Sequence, residues 1–255
     1  MAWSTDPRSR VPEASAELAA TCGDALRTLV LYGSAVGSAT GGFTGSPGGD
    51  TGSEFDPDRS DVNLAVVLDP CEPLHLRRIA QWWTRWRSVR FAAPLVFSTL
   101  ELERSRDVFP LEFLDLRARH RTLAGTEMFA DIVVDPEAVR AECEREAKGK
   151  LFRLRGLYIE LSGAALELQA LMVDSRKTFL YVIRGLLYLR GEPWITGGAA
   201  AIRAFERRYA CALPVLAALS DTPRGGPIDD RFGAYLDEVV LLADIADREA
   251  PGRAT

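Results

Sequence analysis

The chain has 255 residues, of which 47% are hydrophobic and 26% charged, as expected for a soluble globular protein of one large or two ordinary domains. Its formal net charge of -5 argues against an extended nucleic-acid-binding surface. No apolar run approaches the roughly 18 residues that would suggest a membrane span. The N-terminal residues lack the apolar core of a signal peptide. We therefore expect a cytoplasmic protein without a membrane partner.

The cysteines and histidines do not indicate a metal site, a redox motif or a catalytic role. The four cysteines lie far apart and include no Cys-x-x-Cys pair, so neither a zinc knuckle nor a redox motif is indicated. The two histidines, His75 and His120, are isolated in the sequence. We therefore expect neither histidine-based catalysis nor a histidine metal site.

The first half of the chain predicts strands with interspersed helices. An Ala-, Leu- and Glu-rich segment predicts the first helix, and a near-continuous apolar run over residues 62–68 predicts a central strand covered on both faces. A tryptophan-rich segment has helical spacing, which favours core packing over a base-stacking platform. The predicted helices are 12–27, 74–88 and 99–106, and the predicted strands are 28–32, 62–68, 94–97, 111–116 and 121–125.

The second half is almost entirely helical in its pattern. Asp135 and Pro136 suit the N-cap and first position of a helix. Glycine and proline clusters separate the segments that follow. Four helices with short connections predict an up-down bundle, with helices at 137–161, 163–190, 198–219 and 229–248.

The residues that suggest function lie between 29 and 69. An apolar strand runs into Gly33-Ser34, a glycine-rich segment follows with seven glycines in residues 37–53, and Asp61-Val62-Asn63 opens the next strand. Glycine lets the backbone approach a phosphate closely, and Ser34 adds a hydroxyl donor. Residues i and i+2 of a strand share a face, so Asp61 and Asn63 point the same way. Gly-Ser or Asp-x-Asn alone would be a weak signal, because such residues are common at turns.

The combination resembles the nucleotidyltransferase superfamily, in particular its aminoglycoside-nucleotidyltransferase-like and minimal nucleotidyltransferase-like groups. Their pattern is an apolar strand, Gly-Ser, a variable loop, Asp-x-Asp or Asp-x-Glu in a second strand, and a third acid on a later strand. The resemblance implies an α+β fold, with a mixed-sheet domain over 1–132 and a helical bundle over 133–255. It implies transfer of a nucleoside monophosphate from Mg²⁺-NTP, with ATP as the expected nucleotide, to a hydroxyl of a small molecule or a protein.

Carried over by position, the resemblance assigns Gly33 and Ser34 to the phosphates and Asp61 to the metal. Asn63 stands where a second acid is expected, and Glu112 on the predicted strand 111–116 is the third acid, with Asp115 in reserve. The strand 94–97 carries no acid.

Two basic residues of the second half are also candidates for the nucleotide. Lys177 and Arg184 lie at helical spacing on one face of the helix over 163–190. They are candidate triphosphate ligands, although a solvated face accounts for them better.

The amide at Asn63 leaves several outcomes open. An amide oxygen ligates Mg²⁺ but carries no charge, so at least one of two metal ions should bind weakly. The outcomes are slow catalysis, catalysis assisted by Asp58 or Glu112, or nucleotide binding without turnover in a nucleotide- or partner-binding module. A purely structural protein is a further alternative, and the sequence leaves open whether the chain forms a homodimer.

Overall fold

The computed structural model describes residues 6–37, 55–58, 60–219 and 228–250. Most of the glycine-rich segment lies outside these residues, as does Arg59. The chain divides into two compact units, residues 1–106 with 112–133 and residues 107–111 with 134–255. We call them the sheet unit and the helical unit.

The described part of the sheet unit contains one mixed sheet with the strand order β3-β2-β1-β4. Strand β1 is antiparallel to both of its neighbours, and β2 is parallel to β3. The strands are β1 (Leu26–Tyr32), β2 (Asn63–Leu68), β3 (Leu95–Ser98) and β4 (His120–Gly125). The predictions at 28–32, 62–68, 94–97 and 121–125 are thus confirmed with small shifts of their ends.

Both faces of the sheet are covered, because alternate residues of each strand point to opposite sides. Leu29, Leu31 and Leu64 belong to one hydrophobic cluster, together with buried residues of α1 (Val11–Cys22) and α2 (Pro73–Trp86). Val30 and Ala65 belong to a second cluster on the other face, with buried residues of α3 (Thr99–Arg104) and α4 (Pro110–Ala118). Strand β2 is therefore the doubly covered central strand that its apolar run predicts.

The tryptophans of α2 confirm the prediction of core packing. Trp82 is completely buried, and its indole N–H donates to the carbonyl of Ala14 at 3.0 Å. Trp86 is also buried and stacks on Trp82 with ring centroids 6.3 Å apart. Leu76 of the same helix is instead 47% exposed.

Helix α4 corrects the sequence analysis, which predicted a strand over 111–116. The segment Pro110–Ala118 is helical. A short apolar run fits a buried helix as well as a strand, and periodicity does not separate the two. Pro110 occupies the first helical position, where its fixed φ and missing N–H are tolerated. That proline was the available signal for a helix.

The helical unit contains the remaining five described helices. They are α5 (Pro136–Glu160), α6 (Ala165–Leu189), α7 (Gly198–Tyr209), α8 (Pro214–Ala218) and α9 (Ile228–Arg248). Asp135 caps α5 by accepting from the N–H of Glu137 at 3.0 Å, as the sequence predicts. The single helix predicted over 198–219 is instead two. Helix α7 ends before Ala210, whose φ of +50° is left-handed, and α8 begins at Pro214, which suits the first position of a helix. No helix among the described residues is long and apolar enough to cross a membrane.

Candidate functional site

The predicted phosphate turn and metal-ligand strand lie side by side at one end of the sheet. Tyr32, the last residue of β1, pairs with Asn63 on one side and with His120 on the other. Directly paired residues of antiparallel strands point to the same face. The fold therefore places Asn63, Tyr32 and His120 in one row, with Gly33 immediately after its centre.

Gly33 makes the turn possible and closes it against Asn63. Its φ of +75° lies in the left-handed region that glycine tolerates best. A Cβ at this position would lie 3.5 Å from Nδ2 of Asn63. The structure thus brings Gly33 and Asn63 together. Half-buried Ser34 follows in a 3-10 turn, Gly33–Val36.

The backbone N–H of Gly33 is already used. It donates to the carbonyl of Arg119 at 3.0 Å, so Gly33 itself offers no amide to a phosphate. Its contribution is the left-handed turn and the close approach to Asn63. Any amide donors for an anion must come from the residues after it.

Asp61 and Asn63 present the oxygens at this end of the sheet. Val62 between them is fully buried and points to the opposite face. Asp61 is exposed and Asn63 is half-buried. Neither side chain has a hydrogen bond or ion pair with another residue that the structure describes. Their oxygens are therefore open to a ligand.

The predicted third acid does not lie on a strand. Glu112 and Asp115 are both on helix α4, where Glu112 is exposed and Asp115 is 4% exposed. Strand β3, the parallel neighbour of β2, contains only Leu95, Val96, Phe97 and Ser98. The strand placement of Glu112 is therefore wrong, while its metal-binding role stays a prediction.

Asp61 and Asn63 suit one magnesium ion better than two. Within the described residues, no three side chains of His, Cys, Asp or Glu form a group that could hold a metal ion. Magnesium is commonly held by one or two carboxylates together with substrate phosphates and water. Asp61, with the amide oxygen of Asn63, meets that smaller requirement.

A buried ion pair supports the turn from behind. Arg119 donates to both carboxylate oxygens of Asp115, at 2.7 and 2.8 Å from its Nη2, and their side chains are 14% and 5% exposed. The same Arg119 supplies the carbonyl that holds Gly33. Asp115, the reserve candidate for the third acid, thus fixes the residue that anchors the turn. Burial, with the nearby charge of Asp115, raises the pKa of Tyr32 to about 12.

His120 belongs to a network that the sequence does not reveal. Its Nε2 lies 2.8 Å from a carboxylate oxygen of Glu127, and its Nδ1 lies 2.8 Å from the carbonyl of Leu116. Both ring nitrogens face acceptors. Burial alone would raise the pKa of Glu127, but hydrogen bonds from Thr122, the Phe129 N–H and His120 lower it to about 2.

The two basic candidates of α6 have different surroundings in the helical unit. Lys177 is exposed. Arg184 is 3% exposed, which contradicts a solvated face, and it donates to the carbonyls of Ile195 at 2.8 Å and Thr196 at 2.5 Å. These bonds explain a buried Arg184 without a phosphate. The predicted role of both residues in nucleotide binding stays a prediction.

Comparison with solved structures identifies the architecture. The chain is similar to spectinomycin adenyltransferase AAD(9) from Enterococcus faecialis, crystallised with ATP and spectinomycin. The TM-score is 0.55 at 11% sequence identity, over 94% of this chain and 99% of that chain. The chain has the nucleotidyltransferase fold.

This fold, a mixed sheet followed by helices, is the α+β class that the sequence predicts. No family model and no curated protein sequence matches the chain. At 11% identity the likeness establishes the fold, and the activity has to be argued from the residues.

Proposed function

We propose that the protein binds Mg²⁺-ATP at the Gly33 turn and transfers the nucleoside monophosphate to a hydroxyl of a small molecule, more slowly than a site with two adjacent acids. The observation that carries the proposal is the closure of the Gly33 turn against Asn63 within the nucleotidyltransferase fold. A small-molecule acceptor is supported by the neighbour, which was crystallised with ATP and spectinomycin. A protein acceptor is the other class that this chemistry accommodates.

In this proposal the residues at the sheet end bind and orient the nucleotide. The turn after Gly33 directs amides and the Ser34 hydroxyl at the β- and γ-phosphates, because oriented backbone N–H groups favour anions. Asp61 and the Asn63 oxygen hold the Mg²⁺ that enters with the nucleotide. The ion, when bound, neutralises the charge that develops on the transferred group. Lys177 remains a candidate ligand for the triphosphate.

The acceptor hydroxyl has to lose its proton as it attacks the α-phosphorus. A carboxylate within hydrogen-bond reach of that hydroxyl would serve as the base. Glu112, exposed on α4, is our candidate for this role. The pyrophosphate leaves as the new phosphodiester forms.

A second candidate function is nucleotide binding without turnover. Two observations favour it, the uncharged amide of Asn63 and the lack of an acid on β3 beside β2. Metal positioning is a large part of phosphoryl-transfer catalysis. A site that keeps its phosphate turn but has one carboxylate at β2 can therefore retain affinity and lose rate.

The experiment that separates these candidates pairs ligand-induced thermal stabilisation with pyrophosphate release. The protein is incubated with each NTP and Mg²⁺ or Mn²⁺, with and without a panel of hydroxylated small molecules that includes spectinomycin. Stabilisation with acceptor-dependent pyrophosphate release supports transfer, and stabilisation alone supports binding without turnover. Asp61→Asn should reduce the stabilisation by Mg²⁺-ATP, whereas Asp24→Asn, at an exposed acid of the same unit, should not. No stabilisation by any nucleotide contradicts both candidates.

A further inference from the structure

Helix α5 exposes large apolar side chains on the face that points away from the helical core. Phe152 is 65% exposed and Ile159 is 77% exposed. The buried residues Ala147, Leu151 and Leu154 lie on the opposite side of the same helix. Scattered exposed apolar residues are ordinary on protein surfaces, but Phe152 and Ile159 are seven residues apart and fall on one line along the helix.

Two glycines lie on that same line. The sequence places Gly149, Phe152, Gly156 and Ile159 at spacings of three, four and three residues, which is the narrow seam of a helix pair. Glycine in a helix interior is destabilising, so it calls for a reason elsewhere. Nothing in the described chain lies within 4 Å of a Cβ built at Gly149 or Gly156. Packing within one copy of the described chain therefore does not explain these glycines.

The charged residues beside the seam favour a second copy of this chain in an antiparallel arrangement. Arg153 and Glu160 lie on one flank, seven residues apart and both exposed. Neither has a hydrogen bond or ion pair with another residue in the described ranges. In an antiparallel pair of α5 helices related by a two-fold axis between residues 156 and 157, Arg153 of each copy faces Glu160 of the other. A parallel pair would instead set this flank against the opposite flank of the partner helix, so Arg153 and Glu160 would not face each other.

We propose that a second copy of this chain docks on this seam, with the two α5 helices antiparallel. An isologous contact of this kind is self-complementary and closes as a dimer. Ile159 of one copy packs over the open surface at Gly156 of the other, where the missing side chain lets the helices approach. Two Arg153–Glu160 pairs flank the contact. The seam is narrow, so the dimer belongs to the small, weak class of interfaces.

The test is sedimentation equilibrium of the full chain from about 1 μM to about 1 mM, the range in which weak interfaces associate. The wild type should pass from monomer to dimer across this range. Arg153→Glu and Glu160→Arg each place two like-charge pairs in the contact and should weaken dimerisation by about tenfold or more. Leu100→Asp, at a 52% exposed leucine of α3, is the control that should leave the association unchanged.

Mixing the two charge variants tests the proposed Arg153–Glu160 pairing most directly. An Arg153→Glu chain with a Glu160→Arg chain restores both opposite-charge pairs, so the mixture should form heterodimers more tightly than either variant forms homodimers. A single chain with both substitutions should dimerise as the wild type does. A monomeric wild type at every concentration, or a mixture no tighter than the separate variants, overturns the proposal.

Discussion

The two sides of Tyr32 are built differently. On the β4 side, Arg119 and His120 are tied to carboxylates and carbonyls of the protein itself. On the β2 side, the side chains of Asp61 and Asn63 have no hydrogen bond to another described residue. The protein's own bonds thus support the Gly33 turn, while the side chains of the two candidate metal ligands have no partner among the described residues. This division is what a preorganised binding site requires.

The largest effect should come from removing the support behind the turn. Asp115→Asn removes the carboxylate that accepts from the half-buried Arg119 guanidinium and should lower the free energy of unfolding by about 2–3 kcal/mol. Denaturant unfolding measures the loss. The control is Asp244→Asn, because Asp244 and Arg248 have the same residue types and spacing but are 57% and 78% exposed. Screening by water should make that change nearly silent.

Hydrogen exchange then shows whether the loss reaches the turn. The amide of Gly33 should exchange faster in Asp115→Asn, relative to the amide of Leu31 in the middle of the sheet. Equal losses of protection at both amides would mean that the ion pair stabilises the sheet unit as a whole and has no particular role at the turn.

A smaller effect is expected at the turn itself. Gly33→Ala forces a side chain into a left-handed conformation, at a cost of about 1–2 kcal/mol, and should also weaken ATP binding. Gly191→Ala in the helical unit has a similar φ of +80° with open space around it. It should show the same loss of stability with unchanged ATP affinity. If the two variants bind ATP equally well, the Gly33 turn is not the phosphate site.

The smallest effect is a dependence of the free energy of unfolding on pH, which arises from Glu127. Its pKa is lowered to about 2 from an ordinary 4.5. Its stabilisation is therefore fully present above about pH 4.5 and is lost as the pH falls from there towards 2. The difference in unfolding free energy between the wild type and Glu127→Gln should shrink over this interval. Thr122→Val keeps the carboxylate but removes one of its donors. It should raise the pKa of Glu127 in the folded protein, so the decline should become smaller and end at a higher pH. A constant difference would contradict the hydrogen-bond network.

The strands could be predicted from the sequence where the residue pattern is typical of a strand alone. The run at 62–68 is apolar throughout and is buried on both faces, so its composition and its environment agree. The strand predicted over 111–116 is a helix in the structure, because a short apolar run suits a strand or a helix equally.

Only those residues of the candidate site that lie on consecutive strands could be predicted from the sequence. Gly33 and Asn63 are 30 positions apart but occur on consecutive strands, so their motif survives in the sequence. His120 and Arg119 enter the site through the pairing of β4 with β1 across some 90 positions. The spacing of residues in the sequence does not predict this strand pairing, because it is determined by tertiary contacts.

The central claim is that this end of the sheet binds Mg²⁺-ATP and that Asn63 limits the contribution of the metal. Calorimetric titration of ATP with and without Mg²⁺, for the wild type and for Asn63→Asp, tests it most directly. Restoring a carboxylate a few ångströms from the ion should increase the gain in ATP affinity from Mg²⁺ by about tenfold or more. Equal gains in the two proteins, or no ATP binding to either, would contradict the account.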